Sequence, residues 1–240
     1  MTNQTRILQL RTGQLQDLAD TGAATGIYKQ NVKAAFLSET GLEQDEHGDT
    51  RRHGGPEKAL HHFASDHYAR LQKILPVPAA DRSQPGGFGE NLVTEGLTET
   101  DVCVGDIYNL GEAILQVSQP RQPCWRLNAR FGISDMSRRL QNTLRTGWYY
   151  RVLQEGMVRQ GDTLTLEQRP KPEWPLSQVL SLLYETPLEQ DALAEMAELE
   201  QLSPNLRQLA RKRLETGEVE DWEKRLFGPG SISDRLLPAI

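Results

Sequence analysis

Residues 102–117 read Val102-Cys103-Val104-Gly105-Asp106-Ile107-Tyr108-Asn109-Leu110-Gly111-Glu112-Ala113-Ile114-Leu115-Gln116-Val117. Apolar and polar residues alternate loosely on both sides of Gly111-Glu112, which is typical of a β-hairpin. The same alternation occurs at 6–11, and again at 163–167 after Gly161-Asp162. Several short strands at this spacing predict a barrel or sandwich rather than alternating β-α units.

Two helices are expected within this mainly β region. Apolar residues recur at three-and-four spacing over 57–75 and predict an amphipathic helix, with Gly54-Gly55-Pro56 at its entry. The first free N–H groups of such a helix can face an anion. A shorter helix is predicted from Ser134, with Met136, Leu140 and Leu144 on one side.

The hydrophobic pattern of the sequence changes at the proline-rich segment 169–175, and this segment predicts a stiff connector. Beyond it, apolar faces at 176–183, 192–199 and 206–214 predict three helices. We therefore divide the chain into a β domain at 1–170, a three-helix domain at 171–227 and a flexible tail at 228–240.

Composition excludes several classes of protein. The chain has 240 residues and a net charge of −6, which argues against a general nucleic-acid binder. Two cysteines are too few for a disulfide framework and fit a reducing compartment, so we expect a cytoplasmic protein. No apolar run approaches the roughly 18 residues of a membrane span, so secretion and membrane insertion are not expected.

A local excess of positive charge lies between 121 and 151, where one acid, Asp135, accompanies seven arginines. These are Arg121, Arg126, Arg130, Arg138, Arg139, Arg145 and Arg151. An arginine-only patch favours recognition of phosphate or carboxylate. Alternatively, part of it keeps the 134–145 helix soluble. A module that reads nucleic-acid phosphates is a weaker alternative, because interleaved aromatic residues are lacking.

Cys124 lies in Ser118-Gln119-Pro120-Arg121-Gln122-Pro123-Cys124-Trp125-Arg126-Leu127, where a strand ends and two prolines stiffen the loop. The flanking guanidinium groups favour the thiolate, which is the nucleophilic and metal-binding form. The alternative is a small buried hydrophobic residue, and that is our interpretation of Cys103.

All five histidines fall between 47 and 67, but their spacing supports no zinc motif. We interpret His67 as a core residue and His53 as the best placed to meet a ligand or donate a proton. A glycine-rich segment, 85–92, permits close approach of a ligand, and Asn91 within it offers a donor and an acceptor. A tight β connection is the alternative interpretation of this segment.

Four motifs occur in order. They are Gly48-Asp49-x-Arg51-x-His53-Gly54-Gly55-Pro56-x-Lys58-Ala59-Leu60, Phe88-Gly89-Glu90-Asn91-Leu92, Gly105-Asp106 and Gln119-Pro120-Arg121-x-Pro123-Cys124. Together they resemble the MOSC domain, and the helices after residue 176 resemble the YiiM group of that family. The resemblance implies a mainly β fold with α: a MOSC-type β-barrel core with peripheral helices, followed by a small C-terminal three-helix domain.

The resemblance also implies a function. It implies that the chain binds the molybdenum cofactor (molybdopterin with Mo) and uses Cys124 as the metal ligand. The implied cofactor contacts are Arg121, Arg126, His53, Lys58 and Asn91, and the implied proton donors are His53 or Asp49.

Related MOSC enzymes reduce N-hydroxylated compounds, such as hydroxylaminopurine bases and amidoximes, to amines. We therefore expect an oxidoreductase with a small-molecule substrate and a separate electron-donating reductase, and the resemblance points to a homodimer. The alternative is a non-catalytic carrier of the cofactor, or of sulfur as a persulfide on Cys124.

Overall fold

The structure is a computed structural model that describes residues 4–19, 21–50 and 53–229. Its strands are β1 (Gln4–Arg6), β2 (Gln9–Thr12), β3 (Gln16–Asp17), β4 (Ala24–Thr25), β5 (Gln30–Val32), β6 (Ala34–Ser38), β7 (Gly41–Leu42), β8 (Leu60–Ala64), β9 (Leu92–Thr94), β10 (Ile107–Leu110), β11 (Ala113–Pro120), β12 (Trp148–Gln154), β13 (Gly156–Arg159) and β14 (Thr163–Gln168). Its α-helices are α1 (Tyr68–Ile74), α2 (Arg126–Phe131), α3 (Met136–Asn142), α4 (Leu176–Tyr184), α5 (Gln190–Ala197), α6 (Pro204–Thr216) and α7 (Glu223–Phe227).

The main sheet is a curled half-barrel with the strand order β1-β14-β10-β11-β12-β8-β9-β2-β5. The predicted hairpin is confirmed, because β10 and β11 pair antiparallel across Gly111-Glu112. The first strand of that hairpin starts later than expected, at Ile107, since Val104 and Gly105 form a turn and Cys103 forms an isolated β-bridge with Pro175. The alternating stretch at 6–11 is likewise divided into β1 and β2, which pair with different neighbours.

The helix predicted over 57–75 is wrong. Residues 56–58 form a single 3₁₀ turn, residues 60–64 form strand β8, and the α-helix begins only at Tyr68. All five residues of β8 are buried, since it pairs antiparallel with β12 on one side and parallel with β9 on the other. A strand that is buried on both faces shows no alternation of buried and exposed residues, so periodicity does not separate it from a helix. No α-helix therefore begins at Gly54-Gly55-Pro56, where a single 3₁₀ turn starts instead.

Two apolar clusters form the core. The larger joins the main sheet to the C-terminal helices, with Tyr108, Trp148 and Tyr150 in the same cluster as Val179 and Leu183. The smaller lies beneath α2 and α3, where the rings of Phe63 and Phe88 stack with centroids 4.5 Å apart. Aromatic stacking of this kind stabilises a buried cluster beyond its apolar area. The helix predicted from Ser134 is confirmed as α3, which follows Asp135.

The helices predicted after the proline-rich connector are confirmed as α4, α5 and α6, and a left-handed Gly217 follows the end of α6. Arg213 of α6 is 1% exposed and donates to the carbonyls of Leu182 and Leu183. Those carbonyls belong to the last turn of α4, which has no internal partners for them. The side chain of Arg213 also pairs with Glu220, so it joins two helices and the following segment.

A further helix, α7, follows these three and was not predicted as a separate element. Most of the predicted flexible tail, residues 230–240, lies outside the described residues. None of the helices in the described ranges has the length and hydropathy that crossing a membrane requires.

Candidate functional site

Cys124 lies in the loop between β11 and α2, and its side chain is partly exposed. The loop is held at its start by the bond from the Arg121 amide to the Gly147 carbonyl, 2.8 Å. It continues into α2 through the bond from the Leu127 amide to the Cys124 carbonyl, 3.0 Å. The Cys124 Sγ is 3.5 Å from the His53 Nε2, so the structure brings together two residues that the sequence had singled out.

A cleft opens in front of this thiol. The space between its walls is about 590 Å³, part of it open to solvent. The polar side chains that line it are Thr25, Lys29, His47, His53, Lys58, His61, Asn91, Arg121, Cys124, Arg126 and Tyr149. Five of the predicted cofactor contacts, His53, Lys58, Asn91, Arg121 and Arg126, thus share one cleft with Cys124.

The charges in the cleft are mainly positive. Arg121, Arg126, Lys58 and Lys29 all line it, and Lys29 pairs with the buried Asp45 carboxylate. Burial lowers the pKa of Lys58, and the neighbouring Cys124 opposes that effect. The excess of positive charge favours an anionic ligand.

His53 is uncharged at neutral pH in this environment. Burial is the main cause that lowers its pKa to about 3, and the charges of Arg126 and Lys58 add to the effect. Asp49 acts in the opposite direction, and its carbonyl accepts a 2.9 Å hydrogen bond from the His53 amide. Asp49 is therefore a neighbour of His53, and it is not among the residues that line the cleft.

Two buried side chains of the cleft keep unused hydrogen-bonding atoms. His61 is 4% exposed and Arg121 is 6% exposed. The His61 Nε2 and one terminal nitrogen of Arg121 have no hydrogen-bond partner among the residues described. The Gly89 backbone is a hydrogen-bond partner of the His61 ring, which leaves Nε2 as the atom still to be satisfied. Buried polar groups are normally paired, so these two atoms point to a ligand or an ordered water.

Asn91 holds the wall of the cleft together through its side-chain hydrogen bonds. Its Nδ2 donates to the Arg11 carbonyl and to the Asp45 carboxylate, at 3.0 and 2.8 Å. Its Oδ1 accepts from the His61 amide at 3.0 Å. Both N–H groups of Asn91 are therefore used within the protein, and the amide holds β8 against the loops of the cleft.

The seven arginines of 121–151 do not form one patch. Arg121 and Arg126 line the cleft, and the other five contact other parts of the surface. Those contacts are Arg130 with the Tyr28 ring, Arg138 with Glu223, Arg139 with Asp135, Arg145 with the Thr143 carbonyl and Arg151 with Glu57. The alternative of a soluble helix face describes Arg138 and Arg139, whose side chains are about half exposed.

Two of the remaining histidines, His62 and His67, and the second cysteine occupy structural positions. His67 is 2% exposed and bonds to Glu99 at 2.7 Å, as expected of a core histidine. His61 and His62 lie on opposite faces of β8, so His62 enters the core while His61 faces the cleft. Cys103 is buried against the Pro172 carbonyl. Among the described residues, no three metal-ligating side chains are clustered.

The sequence analysis missed several cleft residues, among them Lys29, His61 and Tyr149. His61 was placed on a helix, and recognising strand β8 would have shown that it alternates with His62. The residues next to Lys29 in the sequence give no sign of its role, because the fold brings its partner Asp45 to it. Tyr149 stacks near the His61 ring, 5.1 Å between centroids, through the pairing of β12 with β8.

The donor set of this cleft fits an anionic organic cofactor that carries a soft metal. A thiolate is a ligand of choice for soft metals, and the partly exposed Cys124 lines the cleft. The unsatisfied nitrogen of Arg121 and the positive lining suit phosphate or carbonyl groups.

Comparison with known proteins agrees with this reading of the residues. Residues 49–165 match the MOSC domain model, and residues 174–217 match the model of the YiiM-like, 3-alpha helix domain. Protein YiiM of Escherichia coli is 37% identical over 218 residues, which cover 90% of this chain and 96% of that protein. The crystal structure of YiiM from Escherichia coli superimposes with a TM-score of 0.80 at 32% identity and covers 94% of this chain and 99% of that one.

A protein of Gibberella moniliformis named Reductase is 40% identical over 196 residues. The match covers 80% of this chain but 35% of the fungal protein, so most of that protein lies outside it. MOSC domains are associated in general with binding of the molybdenum cofactor, and the chain described here belongs to the MOSC family and carries the C-terminal helical domain of its YiiM-like members.

Proposed function

We propose that this chain is a molybdenum-cofactor-dependent oxidoreductase that reduces N-hydroxylated compounds, such as hydroxylaminopurine bases and amidoximes, to amines. The observation that carries the proposal is the position of the Cys124 Sγ, at a cleft lined by Arg121, Arg126 and Lys58. The relative named Reductase supports the class of reaction. When bound, the cofactor supplies two-electron redox chemistry at its metal.

Different residues of the cleft bind different parts of the cofactor in this proposal. Cys124 provides the thiolate ligand for the metal. Arg121, Arg126 and Lys58 neutralise the anionic groups of the cofactor, and the Arg121 terminal nitrogen without a partner in the described structure gains one. Asn91 fixes the backbone of His61 through its Oδ1, so His61 presents its Nε2 to the ligand.

Reduction of the N–O bond consumes two electrons and two protons and releases the amine and water. We assign proton delivery to His53, with Asp49 as its neighbour. An anion bound in the cleft offsets the charges of Arg126 and Lys58, so it raises the pKa of His53 from its lowered value, while burial, the main cause of the lowering, persists. His53 can then exchange a proton near the reacting group.

The two electrons come, in this proposal, from a separate reductase. The chain has only two cysteines, and iron–sulfur clusters are usually held by four. Mixing the purified protein with candidate reductases and following product formation tests this partnership.

The decisive experiment combines metal analysis, pterin fluorescence and activity on protein made in a host that synthesises molybdopterin. We expect stoichiometric molybdenum in the wild type, and the variant Cys124→Ser to keep the fold but lose both metal and reduction of an N-hydroxylated base. Cys103→Ser is the matched control and should keep both. Full activity of Cys124→Ser would contradict the role of the thiolate. Intact mass with one added sulfur atom and no cofactor would favour the persulfide carrier instead.

A further inference from the structure

Helix α7 lies against the loop that carries Cys124. The Arg225 carbonyl accepts a 2.7 Å hydrogen bond from the Trp125 amide. The Nη1 of the same Arg225 donates to the Pro123 carbonyl at 2.6 Å. One residue of α7 therefore binds the backbone immediately before and immediately after Cys124.

The Arg225 side chain is itself held in place. Its Nη2 donates to Gln141 of α3 at 2.8 Å, and Gln141 is 2% exposed. Its guanidinium also lies near the rings of Tyr184 and Trp222, 5.8 and 6.0 Å from the centroids. With two directed bonds and two ring contacts, the guanidinium has little freedom to follow a moving loop.

The next residue of α7 is anchored to the helices that follow Cys124. The Leu226 carbonyl accepts from the Asn128 Nδ2 and from the Ser137 Oγ, both at 2.7 Å. Leu226 is 3% exposed, so these bonds are shielded from water. The Cys124 loop cannot shift away from α7 without breaking this group of bonds.

We propose that Arg225 is a positioning residue for Cys124, and that α7 acts as a clamp that fixes the thiol at the cleft. The clamp lies after both matched regions, 49–165 and 174–217, so neither similarity accounts for it. A ligand that must reach a metal at a set distance gains from a rigid support. The catalytic consequence rests on the proposed function, whereas the clamp itself can be tested in cofactor-free protein.

The first test is the rate at which iodoacetamide alkylates Cys124 in the full, cofactor-free chain, followed by peptide mass spectrometry. Arg225→Met removes the guanidinium bonds, and we expect the rate to rise by about fivefold or more because the loop opens more often. Arg225→Lys retains the charge and one donor, so it should fall between Arg225→Met and the wild type. Arg138→Met is the matched control, since Arg138 contacts Phe227 and Glu223 of α7 but no residue of the loop. A rate for Arg225→Met within about twofold of the wild type, or an equal change in Arg138→Met, would overturn the proposal.

A second measurement needs no variant and therefore remains decisive if Arg225→Met fails to fold. In hydrogen exchange of the wild type, the Trp125 amide should exchange as slowly as the Leu226 amide of α7. With the loop clamped, the Trp125 amide leaves the Arg225 carbonyl only when α7 itself opens, and that opening also frees the Leu226 amide from the Trp222 carbonyl. Faster exchange of the Trp125 amide than of the Leu226 amide would contradict the clamp. In cofactor-loaded protein, Arg225→Met should lower kcat with little change in KM, since the thiol and not the substrate site is displaced. If the alkylation and exchange results hold but no reduction is seen in the wild type, the clamp stands and the proposed function fails.

Discussion

The two cysteines differ in their surroundings, and this difference is open to a direct test. Burial raises the pKa of the Cys103 thiol to about 11, and the neighbouring Asp106 adds to the effect. Cys124 is partly exposed at the cleft. We expect iodoacetamide to modify Cys124 in the native protein and to leave Cys103 unmodified until the protein is denatured. Equal labelling of both thiols in native protein would contradict the assignment.

We expect Arg121 to contribute to ligand binding but not to the stability of the cofactor-free protein. Its side chain is 6% exposed, and one terminal nitrogen has no partner in the described part of the chain. Replacing an incompletely satisfied buried cation by an apolar side chain is often neutral or stabilising. Arg121→Met should therefore leave the Tm of the cofactor-free protein unchanged or higher, while a lost charged hydrogen bond should lower cofactor affinity by about tenfold or more.

Retention of molybdenum after dialysis, measured beside Tm, checks both halves of this prediction. The control is Arg139→Met, because Arg139 pairs with Asp135 on the exposed face of α3. A large loss of Tm with full retention of metal would show that Arg121 has a structural role only.

The segment before β10 is fastened to the end of β14 by a buried carboxylate. Asp106 accepts from the Cys103 amide at 2.9 Å and from the Arg169 Nε and Nη2 at 2.9 and 2.7 Å. Breaking a buried pair leaves the other charge uncompensated, at a cost of about 3–5 kcal/mol, and partial exposure of Arg169 places this pair at the low end. We expect Asp106→Asn to lower the free energy of unfolding by about 3 kcal/mol in urea denaturation.

The matched control for this element is Asp135→Asn, which breaks the exposed pair with Arg139. An exposed pair of this kind contributes little to stability, because solvent and salt screen it. Equal effects of the two substitutions would mean that Asp106 does not fasten β10 to β14.

The whole molecule should lose stability in mild acid because of buried neutral histidines. Burial lowers the pKa of His62 to about 3, and its ring nitrogens bond to Tyr150 and Thr94 at 3.0 and 2.8 Å. The unfolded chain binds a proton on His62 near pH 6.5, whereas the folded chain does not until about pH 3. Between these values the unfolded state holds more protons, so the free energy of unfolding falls as the pH falls.

Each such histidine contributes up to about 1.4 kcal/mol per pH unit to this slope. We expect His62→Gln, which cannot titrate, to be less stable at pH 7 but to show a shallower loss of stability between pH 6 and pH 4. Urea unfolding at a series of pH values measures the slope directly. An identical slope in the wild type and in His62→Gln would show that His62 is not the titrating group.

Local sequence signals were sufficient for several parts of this protein. The β10–β11 hairpin and helices α4, α5 and α6 follow from periodicity and from turn or capping residues next to them in the chain. The candidate site was found through Cys124, because Arg121, Arg126 and the two prolines that mark it lie within a few residues. These features depend on interactions between near neighbours, which a single sequence displays.

Contacts between distant residues decided the rest. The sequence of strand β8 predicts a helix, but pairing with β9 and β12 makes it a strand. As a strand it places His61 at the cleft. The arginines after Arg126 lie outside the cleft because each contacts an acid, a ring or a carbonyl elsewhere. Helix α7 packs against the Cys124 loop although the two are about 100 positions apart in the sequence. The physical reason is that burial and strand pairing outweigh local propensity, and both depend on segments that are far apart in the sequence and meet only in the folded chain.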